Sequence, residues 1–129
     1  MDIFQHRENI LPAEYPQFSK IVTDTHNSFW EVEHFKGYSK DIKDFKILLS
    51  PVEQEIASRC MLAISSVENQ VKTFWVDIYK RLPKPEVANA VFTIGANEVT
   101  HQLAYQKLLD KLGLASKFEE TLSLPVMAD

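Results

Sequence analysis

Glu98, His101 and Tyr105 lie in one stretch, ANEVTHQLAYQKLL (96–109), at intervals of three and four residues. On a helix such positions project from one side. Val91, Ile94, Leu108 and Leu112 fall on the same stripe. A carboxylate, an imidazole and a phenol therefore share the face expected to be packed. A charge taken out of water without a partner is costly, so groups of this kind are neutralised, paired or bound to a metal. A Glu-x-x-His string facing into a helical bundle is one way proteins hold iron or manganese.

The element that must position these side chains is a helix over 85–112. Pro85 and Glu86 open it, and Gly113 is its natural stop. Upstream, Ser50-Pro51-Val52-Glu53 combines a capping serine, a proline at the first helical position and a glutamate that completes a capping box. The helix it starts runs over 51–81, where Pro83 and Pro85 force a short connection. The two helices make an antiparallel hairpin. Counting back from Pro83 as many residues as separate it from Glu98 arrives at Glu68. Both glutamates then sit about 22 Å from the turn, at roughly 1.5 Å per residue. Ala57, Met61, Ile64, Val71, Trp75 and Ile78 share the face of Glu68. The expectation is that Glu68 meets Glu98 and His101 at one level of the helix pair.

Two carboxylates and an imidazole, with no thiolate, suit iron or manganese better than a structural zinc site. The residues alone also allow a buried polar cluster without metal, or faces turned to solvent. By spacing alone Tyr105 reads as a core tyrosine with its hydroxyl bonded, and a redox-active phenol beside a metal is the alternative.

The rest of the chain is read as all-α. Only three glycines occur in 129 residues, and the periodic stretches are long. Residues 1–14 look irregular. Pro16 opens a helix expected over about 16–32, on which Phe18, Ile21, Val22, Thr25 and Phe29 recur at helical spacing. Residues 34–46 form a charged connection with Gly37 as a break and SKDIKDF as a short helical turn. Ser116 and Glu119 form a further capping box before a short helix ended by Pro125. The length suggests one domain. A net charge of −4 without a basic block argues against nucleic acid or an anionic membrane as partner. No apolar run reaches the roughly 20 residues that span a bilayer. The polar start MDIFQHREN is unlike a secretory signal. The single cysteine, Cys60, reads as a core thiol and fits the cytoplasm.

In order, YPQFSKIVTDTHNSFW, SKDIKDF, LLSPVEQEI, PKPEV and NEVTHQLAYQKLL resemble the N-terminal half of the radical-generating small subunit of class I ribonucleotide reductase. The similarity runs from about Leu11 to Leu114. The Glu-x-x-His-x-x-x-Tyr string with its upstream acidic residue is its most specific part, followed by the pair Phe29-Trp30. The resemblance implies a ferritin-like helical bundle holding two iron ions, two manganese ions or one of each. It implies that Glu68, Glu98 and His101 are metal ligands, with Glu98 bridging. It makes Tyr105 the tyrosine oxidised to a stable radical, and Trp30 the tryptophan of a relay towards the large catalytic subunit.

That family also needs another Glu, a second Glu-x-x-His and a tail carrying a relay tyrosine, and none follows Leu114. The sequence is thus expected to be half of a site, a partial bundle completed by a second chain from a split gene. Two alternatives remain on the sequence: a non-catalytic truncated fragment, or a ferritin-like homo-oligomer in which paired hairpins form a di-iron ferroxidase or storage site.

Overall fold

The computed structural model describes residues 2–125. Every regular element among them is helical, as expected. Helix α1 spans Phe18–Asn27, α2 Tyr38–Lys43, α3 Pro51–Arg81, α4 Pro85–Leu112 and α5 Phe118–Leu122. A π-helical turn, Asp44–Leu48, continues α2, and single 3-10 turns occupy Val32–His34 and Ala115–Lys117.

The two long helices begin and end where their local signals place them. At the start of α3 the Ser50 N–H donates to Glu53 Oε2 at 2.8 Å, and the Glu53 N–H returns to Ser50 Oγ at 3.4 Å. Two N–H groups that the helix leaves without partners are thereby satisfied. At the end of α4, Gly113 takes φ 76°, a conformation that L side chains resist. It lets the Leu114 N–H reach Leu109 O at 2.9 Å and its own N–H reach Asp110 O at 3.1 Å. That pair of bonds is a Schellman cap.

The short helical turn expected at SKDIKDF is present as α2, but weaker signals misplace the bounds of α1 and α5. The helix expected over 16–32 occupies only Phe18–Asn27. Tyr15–Pro16–Gln17 forms a turn, with the Phe18 N–H on Tyr15 O, so Pro16 precedes the helix instead of opening it. Beyond Asn27 the chain leaves the helix, and Phe29 and Trp30 lie outside it. Near the end of the chain, Ser116 sits inside a 3-10 turn and no side chain caps α5. That helix stops at Leu122, before Pro125.

The residues group into two compact units, each drawing on part of α3 and part of α4. One comprises Met1–Trp30 and Asn69–Thr100. In it the second half of α3 packs antiparallel to the first half of α4, around buried Val87, Ala90 and Val91. Its irregular N-terminal segment is pinned to the start of α4 by buried charges. Glu86 Oε1 accepts the N–H groups of Glu14 at 3.0 Å and Tyr15 at 2.9 Å, and Glu86 Oε2 pairs with Arg7. Lys84 Nζ lies 2.8 Å from Glu14 Oε2, and the Arg7 N–H reaches Pro83 O. Lys84 is only 2% exposed and Glu86 8%. Charges so deeply buried persist only when paired.

The other unit comprises Glu31–Glu68 and His101–Asp129. Leu62, Leu109, Leu112 and Leu114 form its core, with Ile42, Phe45, Met61, Leu108 and Phe118 packed against them. Here the expected face of α3 is kept in part: Met61 packs against the core and Ala57 is half-buried, but the fully buried residues lie beside them. Its buried residues are Ser58, Leu62 and Ser65, whereas Ile64 is 47% exposed and Cys60, read as a core thiol, is exposed. The helix carries apolar residues on more than one side, among them exposed Ile56 and Val67. Periodicity alone therefore does not say which side packs. The buried serines satisfy their hydroxyls on the helix itself, Ser58 on Gln54 O and Ser65 on Leu62 O. Among the described residues no helix is long and apolar enough to cross a membrane.

Candidate metal centre

Glu68 and His101 approach each other from different helices. Glu68 Oε2 on α3 lies 3.8 Å from His101 Nδ1 on α4. Both are largely withdrawn from water, with side-chain exposures of 16% and 31%. Glu98, three residues before His101 on the same continuous helix, presents its carboxylate to the same side. Glu68, Glu98 and His101 each offer one ligand atom, and the three atoms lie within 4.8 Å of one another. Among the described residues they are the one such group of three. Two carboxylate oxygens and an imidazole nitrogen at this spacing fit a six-coordinate iron or manganese ion. The donors match those metals in softness, and the remaining positions stay open for further ligands.

Glu98 has a partner that sequence reasoning missed. The indole N–H of Trp75 donates to Glu98 Oε1 at 3.1 Å. By its distance from Pro83, Trp75 lies nearer the turn than Glu98 does, so counting residues does not pair them. The direction of the side chains does. Helical side chains lean towards the N-terminus of their own helix. In an antiparallel hairpin Trp75 therefore leans away from the turn and Glu98 towards it, and the two meet.

Gly95 makes room for this contact. It is buried one turn before Glu98, and a Cβ there would lie 3.2 Å from Lys72 O and 3.3 Å from Val76 Cγ2. Glycine costs a helix about 1 kcal/mol relative to alanine. Here it lets α4 come close to the backbone of α3 beside Trp75. A glycine in the middle of a long helical pattern was the available signal.

Tyr105 follows His101 by one turn of α4 and is half-buried. Trp30 is half-buried three residues beyond the end of α1. Trp30 belongs to the unit that contains Trp75 and Glu98, and Tyr105 to the unit that contains Glu68 and His101.

Comparison with known proteins gives two findings. A family model described as ribonucleotide reductase, small chain, matches residues 7–128. No curated protein matches the chain.

Proposed function

The chain belongs to the ribonucleotide reductase small-chain family, and on that premise we propose that it supplies half of a di-metal site and a radical tyrosine to a ribonucleotide reductase. The observation that carries this reading is the meeting of Glu68, Glu98 and His101 within 4.8 Å in a chain of that family. Three donors are too few to enclose two ions. The other ligands come from a further segment of the small subunit, and the assembled small subunit works with a large catalytic subunit. The metals are iron, manganese or one of each, and the complex acts in the cytoplasm.

When bound and oxidised, the metal pair supplies a one-electron oxidant. The residues of this chain do the rest. Glu68, Glu98 and His101 hold the ions on the packed side of two long helices, where their own charges find a partner other than water. Tyr105, one turn from His101, carries the phenol whose Oη–H gives up an electron and a proton to become a phenoxyl radical. Half-burial of the ring shields that radical from solvent reductants. Trp30 passes the oxidising equivalent on towards the large subunit, where nucleotide reduction takes place.

The test is metal analysis combined with electron paramagnetic resonance on the assembled complex after loading with ferrous iron and exposure to oxygen. Glu98→Ala and His101→Ala should lose metal. Tyr105→Phe should keep its metal and lose the tyrosyl signal. Unchanged metal content in the first two variants would refute the ligand roles, and a persisting tyrosyl signal in the third would refute the radical assignment.

A further inference from the structure

Glu98 is held from behind. Its Oε1 accepts the Trp75 indole N–H at 3.1 Å, within the half-hairpin that contains both residues. A bond from a fixed N–H to a carboxylate is stronger than one between neutral groups and sets the orientation of the acceptor. Trp75 is itself placed by packing. It is half-buried on α3, next to the point where Gly95 lets the α4 backbone approach Lys72 O. An aromatic ring with two torsions, seated where a glycine lets two helices approach closely, loses little further freedom when it holds a ligand.

We propose that Trp75 is a positioning residue for the metal centre. Its indole N–H anchors the Glu98 carboxylate in the orientation that puts a Glu98 oxygen within 4.8 Å of the ligand atoms of Glu68 and His101. This rests on the metal reading above. Partners that orient a metal ligand from outside the coordination sphere change metal affinity by roughly 10–100-fold, and they alter the geometry the metal adopts.

The experiment uses the two tryptophans of the chain, Trp30 and Trp75. In a Trp30→Phe background Trp75 is the sole indole. Its replacement by 3-benzothienylalanine, a near-isostere without the N–H, removes the hydrogen bond and keeps the ring. Trp75→Phe is the simpler second variant. Cobalt(II) is the probe, because its ligand-field bands report coordination geometry separately from affinity. The isostere should bind cobalt about 10–100-fold more weakly, with displaced bands and unchanged far-UV circular dichroism. In the metal-free protein, the Trp75 indole N–H resonance should move when Glu98 becomes Gln, and the Trp30 resonance should stay.

Cobalt binding by the isostere with the affinity and bands of its parent would overturn the positioning role and leave the metal reading intact. An indole resonance indifferent to Glu98→Gln would overturn the contact itself. A parent whose cobalt binding survives Glu98→Ala together with His101→Ala would remove the metal reading, and the Trp75 role with it.

Discussion

Replacing Glu86 tests what ties the N-terminal segment, and the stretch leading to Trp30, onto the start of α4. The Glu86 carboxylate is 8% exposed, accepts two backbone N–H groups from Glu14 and Tyr15, and pairs with Arg7, whose side chain is 13% exposed. Removing one member of a buried ion pair costs about 3–5 kcal/mol, because the other charge is stranded. Arg7 retains Glu14 at 3.8 Å, so Glu86→Ala belongs at the lower end, near 3 kcal/mol. Glu86→Gln keeps an oxygen for the two N–H groups and exchanges charge-assisted bonds for neutral ones, a loss of about 1–2 kcal/mol.

Acidity adds an independent check on Glu86. Burial pushes its carboxyl up, but hydrogen bonds from its own backbone, Tyr15 and Glu14, with the charge of Arg7, outweigh burial and hold it below the ordinary 4.5. A carboxyl depressed in the folded state stabilises fully above its unfolded value, and the contribution is lost as pH falls through the folded value. The stability gap between wild type and Glu86→Gln should thus be constant near neutrality and shrink only below about 4.5. Urea unfolding followed by far-UV circular dichroism, repeated across that range, measures both effects. A Glu86→Ala variant within about 0.5 kcal/mol of wild type, or a gap that widens in acid, would refute the reasoning.

Two further substitutions probe the other unit. Leu109 is 1% exposed in its core, and Leu109→Ala should cost about 2–5 kcal/mol in urea unfolding; a loss under 1 kcal/mol would mean the core is not built around it. Gly113→Ala meets nothing within 4 Å of the new Cβ, so its expected loss of about 1–2 kcal/mol comes from the left-handed backbone alone. Gly113→Asn, which tolerates that conformation better, should lose less, and equal losses for both would count against the cap.

Local chemistry made the long helices legible. A serine, a proline and a glutamate start α3, and Pro85 and Gly113 bound α4, because capping and turn energies act within a few residues of the chain. The placing of Glu98, His101 and Tyr105 on one side of α4 follows equally from helical spacing, and that stretch is the most specific part of the family resemblance. Where the local signals conflict or are weak, as around Pro16 and Ser116, the boundaries moved.

Tertiary structure decided which side of α3 is packed. Apolar residues on several of its faces leave the choice to the partners, and the partners buried Ser58, Leu62 and Ser65 while leaving Ile64 and Cys60 outside. It also decided the bond between Trp75 and Glu98, which depends on the lean of side chains on two helices running in opposite directions. The anchoring of residues 7–15 on Glu86 was invisible for the same reason: these groups lie more than 70 residues apart. The amino-acid order states what each helix can present. Only the approach of distant segments selects which face is dried, and therefore which charges must find one another.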